Sequence, residues 1–370
     1  MPLTHPALGR HIGRWACAAW RAVLGQPWRA ALGVVASFAL TWAGLAVAPR
    51  AAAAERWERL GSLAAAGPVR QIVASGAQGE PILYALVERW GIFVSPDGGR
   101  NWLPPDRYLP RTPQGAMALN ALALAPQEPQ FLLLAVAGAQ AGGRPSLFKS
   151  GDGGLHWVPR RGLGSRAVEA LAVAPDNVTY AASTNRHYRS VDGGDTWFEE
   201  GSRPIAADVL ALASDGEVLY VGTKGGLWMT ADHGDSWRWA LAQHTVPAVA
   251  ALGRGRAYAA ADDGLYYSAD GGASWRRLEA PAVAGAVAAL AVSPGAPDRL
   301  FAAMASGGLK YSPDAGVTWH PLGHTLLRSP VTALAIDPSS PRRIYVGTRE
   351  GIWRCTLPEA PAVQVDHGRG

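Results

Sequence analysis

The sequence predicts an all-β protein: a seven-bladed β-propeller of four-stranded antiparallel blades, preceded by an N-terminal hydrophobic helix. Three observations predict this fold. A motif of eight residues ending in Trp recurs six times, the Asp residues of the copies lie 38–55 residues apart, and the intervals contain short Ala-, Val- and Leu-rich strands separated by Gly turns. Repeats of roughly this length built from short strands are typical of propeller blades.

Residues 1–54 are expected to be a cytoplasmic leader followed by a transmembrane helix or a signal segment. Residues 30–49 carry no charged side chain over twenty positions, which is about the length of a bilayer-spanning helix. The arginines before this run place the N-terminus in the cytoplasm and the rest of the chain outside. Small residues around Ala53 also suit signal peptidase, so a cleaved signal and a retained anchor both stay open. The expected localisation is extracytoplasmic, either membrane-anchored or secreted.

The net charge of +5 comes from this leader, which contains five Arg and no acidic residue. From Glu55 onward, 29 Lys and Arg residues stand against 29 Asp and Glu residues. A balanced folded part argues against nucleic acid as a partner. The chain has no HExxH or CxxC spacing and no Gly-rich phosphate loop before a helix, so neither a metal ion nor a cofactor is expected.

One propeller domain is expected over residues 55–358, followed by a disordered tail at 359–370, and the protein is expected to be a monomer. The last repeat ends after its third strand, whereas Trp57 to Leu60 resembles the fourth strands of other repeats. We expect this segment to complete the last blade and close the ring, which removes two open sheet edges. First strands are predicted at 69–75, 118–126, 168–175, 207–214, 247–253, 286–294 and 331–338.

The recurring motif resembles the Asp-box, or BNR, repeat, whose pattern is Ser-X-Asp-X-Gly-X-Thr-Trp, and the resemblance covers roughly residues 56–357. It implies a hairpin turn between the third and fourth strands of a blade. The Asp can accept hydrogen bonds from turn N–H groups, and the Trp can bury a large surface between blades. A structural role is therefore expected for the Asp and Trp of each copy: Asp97 and Trp102, Asp152 and Trp157, Asp192 and Trp197, Asp232 and Trp237, Asp270 and Trp275, and Asp314 and Trp319.

Binding is expected on the opposite face, which the loops between second and third strands and the loops between blades build. Cationic side chains in these loops come from several blades and would surround one central opening. Converging charge of this kind favours an anionic or carbonyl-rich ligand, either a protein or a glycan. The alternative is a solvated rim that keeps the protein soluble. The candidate binding residues are Arg89, Arg144, Arg186, Tyr188, Lys224, Arg349 and Arg203.

Two functions follow from the families that the chain resembles. The photosystem II assembly propeller is a single seven-bladed Asp-box domain exported behind an N-terminal segment, and this resemblance implies a non-catalytic binding or assembly scaffold. Xyloglucanase-type glycoside hydrolases, sialidases and sortilin-type receptors also carry Asp boxes. A glycoside hydrolase needs two carboxylates across a sugar, and the candidates would be Glu199, Glu200, Asp262 and Asp263. The scaffold interpretation is favoured because adjacent carboxylates on a strand point to opposite sides and the sialidase Arg-Ile-Pro segment is absent.

Overall fold

Seven antiparallel sheets follow one another along the chain, and each is one blade of a β-propeller. The structure, a computed structural model, describes residues 55–61, 67–76, 79–104, 109, 119–126, 128–136, 145–163, 167–183, 186–199, 208–293, 296–323 and 329–358. The predicted hydrophobic helix at 30–49 and the predicted tail at 359–370 lie outside these residues. Within the described part, no helix is both long and apolar enough to cross a bilayer.

In blades 1 to 6 the strands pair with their neighbours in chain order, whereas in blade 7 the strand order is β1-β27-β26-β25. Blade 1 comprises β2 (Val69–Ala74), β3 (Leu83–Val87) and β4 (Gly91–Ser95). Blade 2 comprises β5 (Leu119–Leu124), β6 (Leu132–Val136), β7 (Leu147–Ser150) and β8 (Val158–Arg160). Blade 3 comprises β9 (Ala170–Val173), β10 (Thr179–Ser183), β11 (Arg186–Ser190) and β12 (Phe198–Glu199). Blades 4 and 5 comprise β13 (Val209–Ser214), β14 (Leu219–Thr223), β15 (Gly226–Thr230) and β16 (Arg238–Ala242); and β17 (Ala248–Ala251), β18 (Ala257–Ala260), β19 (Leu265–Ser268) and β20 (Arg276–Arg277).

The last two blades follow a 3-10 turn at Pro281–Val283. Blade 6 comprises β21 (Val287–Ser293), β22 (Ala296–Met304), β23 (Leu309–Ser312) and β24 (His320–Leu322). Blade 7 comprises β25 (Val331–Asp337), β26 (Ser340–Thr348), β27 (Gly351–Thr356) and β1 (Arg56–Leu60). The first strand of every blade begins within three residues of its predicted position.

Blade 7 contains both ends of the described chain. Strand β1 pairs with β27 in antiparallel register from Arg56–Thr356 to Leu60–Ile352. An ion pair of 2.6 Å between Arg354 and Glu58 crosses the same two strands. Leu60 also belongs to the buried cluster that joins blades 7 and 1. Strand β1 therefore lies at the edge of the sheet formed by β25, β26 and β27.

Among the described residues, blade 1 has three strands where four are expected. Its fourth position is reduced to one bridge, in which the Leu103 N–H donates to the Val94 carbonyl at 2.8 Å. The next two residues are Pro104 and Pro105, which have no N–H to continue the ladder. The prolines explain why this blade departs from the others.

Seven buried clusters occupy the seven interfaces between neighbouring blades. Each Asp-box Trp packs in the cluster that joins its own blade to the preceding blade. The interface between blades 6 and 7 receives Trp57 from β1 in place of an Asp-box Trp. Burial of such aromatic surfaces supplies much of the driving force for joining blades.

Candidate functional site

The propeller presents two faces, which we name by their loops. The box face carries the Asp-box turns between third and fourth strands. The loop face carries the hairpins between second and third strands, together with the segments that lead into first strands. Backbone bonds hold these two kinds of segment together, as between Glu88 N–H and Pro68 O at 2.9 Å and between Val287 N–H and Ala261 O at 3.0 Å.

On the box face, each of the six Asp carboxylates is occupied by its own turn. Its Oδ1 accepts the N–H of the residue four positions later at 2.8–3.0 Å. Its Oδ2 lies 2.5–2.7 Å from a side-chain donor of that same residue. The Ser or Thr that opens the box accepts the N–H of the second turn Gly or its equivalent at 2.7–2.9 Å. These bonds stabilise the charged carboxylate, so the Asn101 N–H lowers the pKa of Asp97 to about 2.

The box turns also touch the preceding blade at close range. At Gly272, with φ of +80°, a Cβ atom would lie 2.8 Å from Met229 Sδ and 2.9 Å from Tyr220 Cε1. At Gly194, with φ of +90°, it would lie 2.9 Å from Leu133 Cδ2. Glycine is needed at these positions both for its conformation and for its lack of a side chain.

Of the four described cations predicted on the loop face, two form ion pairs. Arg89 and Arg349 are exposed and form no ion pair with the residues that the structure describes. Arg186 pairs with Glu199 on the neighbouring strand. Lys224 lies 2.5 Å from Asp208. Acidic neighbours therefore neutralise two of these four cations.

One predicted binding residue is in the wrong place. Tyr188 is 5% exposed and belongs to the cluster between blades 2 and 3, so it does not line the loop face. Its neighbour His187 is also buried and packs 4.8 Å from the Trp237 ring; burial lowers its pKa to about 4. Strand β11 is covered by blades on both sides, so two successive side chains are buried. Three other candidates, Arg144, Arg203 and Glu200, lie outside the described residues.

A central cavity of about 320 Å³ is lined by residues of all seven first strands. Each first strand contacts the first strand of the next blade, and β25 contacts β2. The start of each first strand has a corresponding position, directly after a buried Val or Leu, that lines this cavity. These seven residues, which we name the mouth residues, are Arg70, Asn120, Glu169, Leu210, Pro247, Ala288 and Thr332.

The mouth residues divide the ring into two arcs. The polar arc runs through blades 7, 1, 2 and 3 and consists of Thr332, Arg70, Asn120 and Glu169. The apolar arc runs through blades 4, 5 and 6 and consists of Leu210, Pro247 and Ala288. The mouth is therefore amphipathic.

Side chains of the polar arc bond to the neighbouring blade. Thr332 Oγ1 donates to the Val69 carbonyl at 2.5 Å, Asn120 Nδ2 donates to the Val168 carbonyl at 2.7 Å, and Glu169 Oε2 accepts the Val209 N–H at 3.3 Å. Deeper in the cavity lining, the Gln71 amide bonds both backbone groups of Leu122 at 2.8 and 2.9 Å. Arg70 lies 3.2 Å from Glu88 on the loop face. These bonds fix the polar side chains in position.

The described carboxylates proposed for glycoside hydrolysis are engaged with other side chains. Glu199 pairs with Arg186. Asp262 and Asp263 lie in the hairpin between β18 and β19, and both approach His244. One oxygen of each Asp lies within 4.8 Å of the other, which is shorter than the roughly 6.5–9.5 Å separation of an inverting carboxylate pair and close to the roughly 5–5.5 Å separation of a retaining pair.

Sequence reasoning missed the mouth residues, Trp90 and His244. A signal for the mouth was present, because the polar residues interrupt first strands that otherwise read as Ala, Val and Leu. Trp90 is 53% exposed beside Arg89. Its signal in the sequence was the presence of a large aromatic residue in a predicted hairpin. His244 had no such signal, since it is 18 residues from Asp262 and belongs to another blade connection.

Comparison with known proteins relates the fold to two groups of propellers. The GH74 xyloglucanase from Xanthomonas campestris matches with a TM-score of 0.66 and 20% identity, over 84% of this chain and 55% of that chain. The YCF48 protein bound to a D1 peptide matches with a TM-score of 0.64 and 14% identity, over 82% of this chain and 97% of that chain. YCF48 from Cyanidioschyzon merolae matches with a TM-score of 0.63 and 13% identity, over 82% and 99%.

These neighbours confirm the resemblance to both groups at the level of the fold. The chain spans about half the length of the xyloglucanase, 55%, and nearly all of the peptide-bound YCF48, 97%. No protein-family model matches the chain, and a search of curated proteins finds no match.

Proposed function

We propose that this protein is an extracytoplasmic, non-catalytic scaffold that binds a segment of another protein at the mouth of the central cavity. The observation that carries the proposal is the division of the mouth into a polar and an apolar arc. An amphipathic segment can place apolar side chains against Leu210, Pro247 and Ala288 while its polar groups meet the opposite arc. Such a mixture of apolar lining and a few fixed polar groups is typical of binding sites.

The size of the cavity favours an extended segment over a folded domain. A volume of about 320 Å³ lies at the lower end of the range for small-ligand pockets, so it accommodates a few side chains. The exposed Trp90 and the ion pairs of the loop face would surround the rest of the segment. Aromatic side chains of this kind are enriched at the centres of protein interfaces.

The placement of the carboxylates favours binding over glycoside hydrolysis. A general acid and its partner must face an open sugar-binding cleft from two sides, whereas Glu199 faces Arg186, and Asp262 and Asp263 share His244. The structural similarity to YCF48, a propeller that binds a peptide, also supports a binding function.

The proposal that the protein is exported rests on residues 30–49. We infer that this uncharged run tethers the propeller outside the cytoplasm or directs its secretion. A Val317→Cys variant, at a position 78% exposed on the box face, reports the location. In intact cells a membrane-impermeant maleimide should label it as fully as in lysed cells; labelling only after lysis would contradict export.

The binding site is tested by photo-crosslinking in the producing cells. A photoreactive amino acid at Leu210 should crosslink to a protein partner, and the same amino acid at Val317 on the box face is the matched control, since both side chains are exposed and apolar. Leu210→Asp should abolish the crosslink formed from a second probe at Trp90. Equal crosslinking from both faces would contradict the proposed site. Hydrolysis of aryl glycosides or polysaccharides by the wild type that is lost in a Glu199→Gln, Asp262→Asn and Asp263→Asn variant would replace the proposal with the hydrolase.

A further inference from the structure

A group of side chains on the loop face between blades 4 and 5 has a different chemistry from the mouth. His244 lies in the segment between β16 and β17, and Asp262 and Asp263 lie in the hairpin between β18 and β19. His244 Nδ1 lies 3.0 Å from Asp262 Oδ1 and 3.4 Å from Asp263 Oδ1. One ligand atom from each residue lies within 4.8 Å of the other two. An imidazole and two carboxylates therefore converge from two separate loops.

Hydrogen bonds hold both loops in this arrangement. The Thr245 N–H donates to Asp262 Oδ2 at 3.2 Å, and Thr245 Oγ1 donates to the Lys224 carbonyl at 3.3 Å. The Gly285 N–H donates to the Asp263 carbonyl at 3.2 Å. The cluster is therefore supported by the backbone of three loop segments and does not depend on the contacts among its own side chains.

The Tyr266 hydroxyl determines how His244 is oriented. It donates to Asp263 Oδ2 at 2.9 Å and lies 3.3 Å from His244 Nε2. A hydroxyl has one proton, so once that proton is given to Asp263 the oxygen accepts from Nε2–H. The Nδ1 atom then faces the two carboxylate oxygens. Asp263 Oδ1 is buried and has no hydrogen-bond donor. Either a proton on Nδ1 or a metal ion in the same position can satisfy these three atoms.

We propose that His244, Asp262 and Asp263 bind a divalent transition-metal ion of the zinc type. In a tetrahedral site with bonds of about 2.0–2.1 Å, ligand atoms lie about 3.3 Å apart. The separations of Nδ1 from the two carboxylate oxygens, 3.0 and 3.4 Å, are close to this value. Calcium fits poorly because it takes about six to eight oxygen ligands at longer distances.

The surrounding groups are compatible with a bound cation. Tyr266 holds the far ring nitrogen of His244, as the outer partner of a metal-ligating histidine usually does. Arg277 Nε lies 3.6 Å from Asp263 Oδ2, on the other oxygen from the one that faces His244. Three protein ligands leave a fourth position for water or for a donor atom of a bound molecule.

The test is a titration of the full-length protein after a chelator has removed metal ions. Calorimetry with Zn²⁺ should show one saturable site, and Co²⁺ should give the visible absorption bands of a four-coordinate ion. His244→Ala should weaken zinc binding at least tenfold. Tyr266→Phe should weaken it about tenfold, because this substitution removes the hydroxyl that contacts His244 Nε2. His156→Ala is the matched control: His156 Nδ1 lies 2.6 Å from one carboxylate, that of Asp152, in a box turn. Its loss should leave zinc affinity unchanged.

Thermal unfolding in the presence and absence of Zn²⁺ guards against a variant that fails to fold. Zinc should raise the Tm of the wild type and of His156→Ala but not that of Asp263→Asn, which keeps a polar side chain in the hairpin. Absence of a saturable site in the wild type, or undiminished binding by His244→Ala, would overturn the proposal. Because zinc alone is the probe, either result leaves the proposed binding of a protein segment at the mouth untouched.

Discussion

The box face and the loop face use acidic side chains in opposite ways. On the box face, each Asp bonds within its own turn, and the pattern is the same in all six copies. On the loop face, Asp208 and Glu88 reach cations of other segments, and the arrangement differs from blade to blade. Residues that recur in every blade therefore stabilise the blade, whereas the candidate sites are formed by residues that differ from blade to blade.

The largest effect is expected where a box turn touches the preceding blade. Gly272→Ala adds a Cβ atom 2.8 Å from Met229 Sδ at a φ of +80°, so it should cost about 2–5 kcal/mol from overpacking and backbone strain together. Gly285→Ala is the matched control on the loop face, because its φ is +104° but no atom lies within 4 Å of the added Cβ. It should cost about 1–2 kcal/mol. Denaturant unfolding measures both, and equal losses would show that the close approach has no energetic weight.

An intermediate effect is expected from removing single carboxylates of the two faces. Asp192→Ala deletes bonds to the N–H groups of Asp195 and Thr196 and to the Thr196 hydroxyl, so it should cost about 1–2 kcal/mol, as loss of a helix cap does. Asp208→Ala deletes one exposed ion pair with Lys224 and should cost about 0.5 kcal/mol or less. Urea unfolding of the two variants gives the difference. A greater loss of stability in Asp208→Ala than in Asp192→Ala would contradict the view that the box-face carboxylates stabilise the fold more than those of the loop face.

Acid is expected to destabilise the box face. The Asn101 N–H and the Ser274 hydroxyl, respectively, lower the pKa values of Asp97 and Asp270 to about 2, whereas an unfolded Asp titrates near 3.9. Groups with a depressed pKa stabilise the fold above the unfolded value, and this stability is lost as pH falls from about 4 to about 2. Thermal unfolding across this range should show a falling Tm with a shallower slope in Asp97→Asn. An unchanged slope would mean that these carboxylates titrate alike in the folded and unfolded chain.

The sequence was sufficient for features that depend on neighbouring residues. The first strand of blade 7 was predicted at 331–338 and is Val331–Asp337, and the box turns lie between third and fourth strands as their resemblance implied. Both follow from local patterns, namely short apolar runs and turn residues at fixed spacing. The fourth strand of blade 1 was overestimated because the two prolines after Leu103 received no weight.

Features that depend on contacts between blades could not be read in this way. Tyr188 was placed on the binding face because it was assigned to the loop between second and third strands, whereas it lies inside β11. Neighbouring blades cover both sides of that strand, so its side chains do not alternate between buried and exposed. The approach of His244 to Asp262 and Asp263 depends on how two neighbouring blades are rotated against each other. The pairing of Arg186 with Glu199 needed the register of β11 and β12.

The sheet that joins β1 to β27 has a consequence for how the protein is made. Strand β1 is synthesised before the other described strands, whereas its partner β27 is the last described strand to be synthesised. A nascent chain can stack blades 1 to 6 before the β1–β27 pair of blade 7 can form, because that pair needs β27. The contacts between blades 7 and 1 can therefore stabilise the protein only after β27 has been made. A premature stop before residue 351 would leave β1 without its partner strand.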